Sequence, residues 1–185
     1  VATGSLILTG TASGGANAVL THRGTGALTL SGDYLGSLGI TKGLDTTDTG
    51  TLTLNGVSKS TFTGPVVVNG GVLSIANSNQ LGVATSSLTL NGGTLRATSA
   101  VSIAKPVTAG PLGATFDFPV GGAVTLASAL TGPGGVNKRG QGTLVLSSLA
   151  NTYLGDTTVD NGTLNLASIG PTKGLLTVNG SSAGT

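Results

Sequence analysis

The sequence predicts an all-β fold, a right-handed, single-stranded parallel β-helix (solenoid) of about eight coils. Three observations point to it: the composition, a short strand-like phrase that recurs, and a longer unit that returns after about 91 residues. Of the 185 residues, 33 are Gly, only 8% are charged, all six acidic residues are Asp, and Cys is absent. Because helical surfaces draw on Glu, Lys and Gln, this composition favours strands and turns.

The recurring phrase alternates Leu with Thr and ends in a small polar residue and Gly. Successive side chains of a strand point to opposite faces, so the Leu residues are predicted to face a core and the Thr residues to form an outer face. The copies are Leu6–Gly10, Leu28–Gly32, Leu52–Gly56, Leu88–Gly92 and Leu176–Gly180, with looser copies at Val124–Ser128 and Leu144–Ser148.

Turn signals follow these strands at Asn69–Leu73, Asn91–Leu95 and Asp160–Leu164. Asn and Gly tolerate positive φ and turn the chain sharply. Asn-Gly is also typical of antiparallel hairpins. The return of one strand and one turn at spacings of roughly 20 to 36 residues instead favours stacked coils, each completing its core against its neighbours.

The longest internal match aligns residues 140–166 with residues 48–75, and residues 24–36 form a partial third copy. One aromatic position recurs in all three copies. We expect its side chains to pack at a recurrent corner of the core rather than to bind a ligand. The aromatic residues at this position are Tyr34, Phe62 and Tyr153.

The same residues resemble a known repeat. Over about residues 21–167, the order and spacing of the motifs are similar to those of bacterial autotransporter passenger domains and their passenger-associated β-helix repeat. The motifs that carry the resemblance are Val136–Leu146, Asn151–Gly155, Thr157–Val159 and Asn161–Leu164, supported by Leu81–Gly82, Leu88–Ala97, Thr115–Phe118 and Leu130–Gly135.

The resemblance implies a Gram-negative surface or secreted protein, exported by type V secretion through a C-terminal translocator barrel. It further implies a structural stalk that serves adhesion or self-association. Residues 1–185 are accordingly expected to be one β-helical segment of a longer passenger, with signal peptide and barrel outside this sequence. The expected partners are a second copy of the chain or a protein or glycan receptor.

The sequence offers little for catalysis, so no enzyme activity, cofactor or metal site is predicted. The nucleophile-elbow, P-loop and His-Glu metal motifs are missing. His22 is the one imidazole, and its alignment with Lys138 indicates a solvated turn residue.

A carbohydrate-binding or polysaccharide-processing β-helix is the main alternative. Glycoside hydrolysis needs two carboxylates about 5–9 Å apart. Asp156 and Asp160 are close in sequence, and Asp45 and Asp48 share a loop whose composition indicates turn chemistry. Asp117 is predicted to face outward, opposite its Phe neighbours.

The remaining alternatives rest on surface properties. The eight Lys and Arg residues are scattered and lack aromatic partners, so nucleic-acid binding is not expected. No apolar stretch reaches the ~18 residues of a membrane span. Thr51 and Thr53 suggest an ice-ordering array, but other copies of the phrase break it. A subunit of an extracellular filament is the second alternative function.

Overall fold

Each turn of the chain contributes up to three short strands, joined by corners that contain Gly or Asn. The computed structural model describes residues 4–56, 61–167 and 174–179. Within them every strand pair is parallel, no α-helix occurs, and the strands stack as a β-solenoid of about seven turns, where about eight were predicted. The turn length varies, from 26 residues between the paired Ile40 and Val66 to 19 between Thr157 and Leu176. The predicted all-β parallel solenoid is confirmed.

Face A is the longest sheet, with nine strands in chain order along the solenoid. At the spacing of about 4.8 Å between strands, it is about 40 Å long. Its strands are β1 Ser5–Leu8, β4 Ala27–Leu30, β7 Thr51–Leu54, β9 Val72–Ile75, β11 Thr94–Ala97, β14 Ala114–Asp117, β17 Val136–Arg139, β19 Thr157–Val159 and β21 Leu176–Val178.

Face C is a sheet of six strands, most of which expose a single central side chain. Its strands are β3 Val19–His22, β6 Gly39–Lys42, β8 Val66–Val68, β10 Leu88–Leu90, β13 Val107–Ala109 and β16 Leu130–Thr131.

Face B is the third side of the solenoid, and its strands do not form one continuous sheet. A two-stranded and a four-stranded sheet are separated by a 3-10 turn at Ser78–Leu81, whose capping box pairs Asn77 with Gln80. The strands of the first sheet are β2 Ala12–Gly14 and β5 Tyr34–Gly36, and those of the second are β12 Ala100–Ile103, β15 Ala123–Leu126, β18 Thr143–Leu146 and β20 Thr163–Leu166.

The core lies between the three faces, and the inward side chains of the recurring phrase fill it. Leu52 and Leu54 are buried while Thr51 and Thr53 between them are half-exposed, which confirms the predicted alternation. Burying one such Leu contributes about 2 kcal/mol, and each coil adds several. The equivalent Leu6 of β1 is 55% exposed, because the described chain covers β1 on one side only.

Glycine is required at the corner that follows face A in the last turns. Gly140 has φ +67° and Gly162 has φ +74°, a region that L side chains rarely adopt. A Cβ on Gly162 would also lie 2.4 Å from the carbonyl oxygen of Gly140, one coil away. Both backbone conformation and close stacking therefore demand Gly here.

The two long repeat copies occupy different faces of the solenoid. Thr51–Leu54 forms a strand of face A, whereas the equivalent Thr143–Leu146 forms a strand of face B. The same rotation separates Val72–Ile75 from Thr163–Leu166. The stretch of chain from one copy to the next therefore makes four full turns of the solenoid and then advances by one further face, from face A to face B. Residues 57–60 of the first copy, and Gly180 of the last phrase, lie outside the described residues.

This rotation corrects the prediction for the repeated aromatic position. Tyr34 and Phe62 pack edge to face with ring centroids 6.1 Å apart under face B. Tyr153 instead lies in the segment that extends face C by one coil, since the Thr152 amide donates to the carbonyl of Leu130 in β16. All three rings are buried, so the predicted packing role is confirmed, but they do not share one corner.

Candidate functional site

The outward side chains of face C form one uncharged column. The strand register places Thr89 beside Thr108 on one side and beside Val67 on the other. Each of these side chains is partly exposed. We call this set the threonine column; its members are Thr21, Thr41, Val67, Thr89, Thr108 and Thr131.

The threonine column is a regular array that the recurring sequence phrase does not reveal. Thr51, taken from the sequence as the best candidate, has Ala27 and Val72 as its neighbours on face A. On face C, the charged or titratable side chains of the described strands, His22 and Lys42, stand at alternate positions from the column and point inward. This leaves hydroxyl and methyl groups along the outer side of the column.

Face A carries a different column, which we call the charge ladder: Arg96, Asp117, Arg139 and Asp160. Strand pairing puts Asp117 beside Arg96 and beside Arg139. The Arg96 Nη2 donates to the Asp117 carboxylate at 2.5 Å, and the Arg139 Nε donates to Asp160 at 3.3 Å.

The charge ladder alternates in sign and neutralises itself. Its pairs are partly solvent-exposed, so each contributes less than about 1 kcal/mol. Hydrogen bonds from the side chains of Asn179, first, and then of Asn137 and Arg139 lower the pKa of Asp160. Such a column favours one strand register, because a shifted strand would lose its opposite charge.

Three lysines lie inside the solenoid, which the sequence reasoning missed. Lys138 is fully buried, with its ammonium 5.4 Å from the Phe118 ring centroid. It donates to the main-chain oxygens of Arg139 at 2.5 Å, Gly140 at 2.7 Å and Asn161 at 3.3 Å. Burial lowers its pKa. Lys138 therefore holds together two successive corners.

Lys105 performs a similar task at the corner after the 3-10 turn. Its ammonium donates to the carbonyl oxygens of Leu81, Gly82 and Val83 and, at 2.7 Å, to the Ser86 hydroxyl. Burial lowers its pKa to about 8. A Ser–Lys pair can act as a nucleophile and base, but the Ser86 hydroxyl donates to the Val83 carbonyl and is 1% exposed. Lys105 and Ser86 therefore stabilise the turn that follows the 3-10 turn.

Lys42 and His22 are neighbours on the inner side of face C. Lys42 is buried and its ammonium is 3.5 Å from the Asp48 carbonyl oxygen. Burial, followed by the Lys42 charge, lowers the pKa of His22, and its Nδ1 has no hydrogen-bond partner in the described ranges. The prediction of a solvated turn residue is wrong, because His22 and the aligned Lys138 both occupy inward strand positions.

Asp156 and Asp160, a carboxylate pair singled out from the sequence, lie far apart along their strand. Asp156 and Asp160 lie at opposite ends of β19, and four residues of extended strand span about 13 Å, which exceeds the separation that glycosidases use. A groove of about 360 Å³ beside face A contains Asp156 as its one carboxylate, and that side chain accepts from the Leu175 amide.

The other predicted carboxylates lie as the sequence indicated, with one difference. Asp45 accepts from the amide and hydroxyl of Thr47, and Asp48 accepts from the amides of Gly24 and Leu44, so both serve turns. Asp48 is nevertheless buried, because its carboxylate bridges two coils. Asp117 faces outward as predicted. Among the described residues, no three His, Cys, Asp or Glu side chains are placed to bind a metal.

Comparison with known proteins points to one class. The family model of the passenger-associated transport repeat matches residues 44–75 and 136–166. The chain is also 38% identical, over 119 residues, to the "Adhesin BmaC autotransporter" of Brucella suis biovar 1 (strain 1330). The match covers 64% of this chain and 3% of that relative. No solved structure matches the chain.

The solenoid and the matches together confirm the resemblance to autotransporter passenger domains that the sequence indicated. They equally support a place at the cell surface of, or secretion from, a Gram-negative bacterium. In the described ranges, no helix has the length and apolar character needed to cross a membrane.

Proposed function

We propose that this solenoid is a stalk segment of a surface passenger and that it serves adhesion or self-association through face C. The observation that carries the proposal is the threonine column, a continuous outer surface without charge. The adhesin name of the Brucella relative supports the adhesive role. A C-terminal translocator in the full-length protein belongs to the same proposal.

A second copy of the chain fits face C for two physical reasons. Both copies present one side chain per coil at the same spacing of about 4.8 Å, so their columns can match over several coils. Identical charged faces would repel each other, whereas this face carries no outward charge among its described strands. The charge ladder of face A is neutralised internally and offers less to a partner.

Sedimentation velocity over a wide concentration range tests the proposal. We expect the chain to form dimers or larger species, and Thr89→Arg to abolish them by placing like charges at the contact. Thr125→Arg is the matched control, because Thr125 occupies an equivalent outward position on face B. Equal effects of the two substitutions would contradict the assignment to face C.

A receptor instead of a second copy is the other arm of the same test. If the chain stays monomeric but binds protein- or glycan-coated surfaces, and Thr89→Arg alone prevents this, face C is adhesive rather than self-associating. No association and no surface binding would refute both roles. The filament and the polysaccharide alternatives remain predictions, and the spacing of Asp156 and Asp160 gives the latter no support.

A further inference from the structure

Asn-Gly pairs are the places where a protein chain most readily loses ammonia, because Gly leaves its own nitrogen unhindered. The chain has five such pairs, and those that the structure describes differ in exposure and in the hydrogen bonds of the glycine nitrogen. Four are fully described, and Gly180 of the fifth lies outside the described residues. The pairs are Asn55–Gly56, Asn69–Gly70, Asn91–Gly92, Asn161–Gly162 and Asn179–Gly180.

Two of the pairs are held by the neighbouring coil. The Gly70 nitrogen donates to the Lys42 carbonyl at 3.4 Å, and the Asn69 amide donates to the Gly43 carbonyl at 3.2 Å. A nitrogen engaged in this way is not free to attack its own side chain until the coil opens locally.

The Asn91 pair is held in the same manner. The Gly92 nitrogen donates to the Gly113 carbonyl at 2.8 Å, and the Asn91 oxygen accepts from the Leu112 amide at 3.0 Å. The Asn55 pair is restrained by the burial of its glycine, because Gly56 is buried and a Cβ on it would lie 2.5 Å from the Gly32 carbonyl oxygen.

Asn161 and Gly162 differ from these pairs in the exposure of both residues and in the partner of the glycine nitrogen. Both residues are exposed. The Gly162 nitrogen donates to the Asn161 Oδ1 at 2.7 Å, which places it one bond away from the carbon that it would attack. We propose that Asn161 is a site of spontaneous deamidation in the folded protein and reacts ahead of the other described Asn-Gly pairs.

The reaction needs only water. The Gly162 nitrogen loses its proton to hydroxide and forms a bond to the Asn161 Cγ, the Cγ–Nδ2 bond breaks, and ammonia leaves with the returned proton. The resulting succinimide is then opened by water at either carbonyl, which yields Asp or isoaspartate at position 161. Because the nitrogen must first lose its proton, the rate rises with pH.

The product would alter the corner that joins face A to face B. The Asn161 carbonyl accepts from the Lys138 ammonium, and Gly162 stacks closely on Gly140. Isoaspartate adds an atom to the main chain at this point, which disturbs the entry into β20. Either product adds a carboxylate next to Asp160, at the end of the charge ladder.

Peptide mapping by mass spectrometry in H₂¹⁸O tests the proposal on the intact chain at 37 °C and mildly alkaline pH. We expect Asn161 to react at least about fivefold faster than Asn69 and Asn91, which is the factor that one additional backbone hydrogen bond provides. The same map in denaturant is the internal control, and there the described Asn-Gly pairs should react at similar rates.

Two results would overturn the proposal. One is a folded chain in which Asn55, Asn69 or Asn91 reacts as fast as Asn161. The other is an Asn161 that stays intact while the denatured chain reacts. Asn161→Gln, which removes the five-membered ring closure but keeps an amide, should abolish the mass change at this position and leave the other positions unaffected.

Discussion

Face A and face C have the same backbone architecture but differ in the charge of the side chains on their outer surfaces. Both are parallel sheets in which one outward residue per coil forms a column. On face A the lower part of that column alternates Arg with Asp, whereas on face C it consists of Thr and one Val. The inner sides differ as well, since Lys138 under face A has three carbonyl acceptors and Lys42 under face C has one.

The comparison shows how a residue type at one position of a coil comes to define a whole face of a solenoid. One residue type per coil, repeated at the coil length, becomes a continuous surface property. Charges are accommodated where the next coil supplies the opposite sign or a set of carbonyl oxygens. Where neither is available, uncharged β-branched residues cover the strand, which they also favour.

The largest expected effect is at the buried lysines. Lys138→Met keeps the alkyl volume but removes three hydrogen bonds to part-buried carbonyl oxygens, and should lower the free energy of unfolding by about 2 kcal/mol. Lys42→Met should change it by less than about 1 kcal/mol, because it loses one long hydrogen bond and also a desolvated charge. Urea unfolding followed by circular dichroism measures both. Equal losses would show that the carbonyl contacts of Lys138 contribute little.

A medium effect is expected from the charge ladder. Asp117→Arg replaces an attraction by repulsion from Arg96 and Arg139, and should destabilise the protein by about 1–2 kcal/mol. Thr108→Arg on face C is the control, with an expected change within about 0.5 kcal/mol. High salt should reduce the difference between the two variants. A difference insensitive to salt would mean that packing, and not charge, causes it.

The smallest expected effect is the loss, in acid, of the stability that Asp160 contributes on face A. Because the pKa of Asp160 is lowered in the folded state, its contribution is present above the unfolded value near 3.9 and is lost as the pH falls through the folded one. Wild type and Asp160→Asn should therefore differ by less than about 0.5 kcal/mol at neutral pH and converge in acid. Thr108→Asn on face C should show no such pH dependence. A constant Asp160→Asn difference down to acid pH would exclude the charge as its origin.

Much of the fold follows from the sequence pattern. The alternation of Leu and Thr determines which side of each strand is buried, as Leu52 and Thr53 show. The spacing of the phrases determines that the strands stack in parallel coils. The charge ladder was also readable in principle, since Arg96, Asp117, Arg139 and Asp160 follow one another at 21 or 22 residues, the length of a coil.

The buried lysines show where the pattern alone is misleading. Lys42 and Lys138 occupy inward positions of their strands by simple alternation, but charge argues for an exposed position. That conflict is resolved only by the corner next to each lysine, whose carbonyl oxygens accept from the ammonium. A single strand does not contain those acceptors, because they come from the following turn and from the adjacent coil.

The sequence by itself therefore determined the strand, its buried side and its turn, all of which depend on neighbours along the chain. The tertiary structure decided which face each strand joins, as the rotation between Thr51–Leu54 and Thr143–Leu146 shows. It also decided which columns the outward residues form. The physical reason is that a strand with one apolar side packs equally well on any of the three faces, so the accumulated length of the intervening coils selects the face.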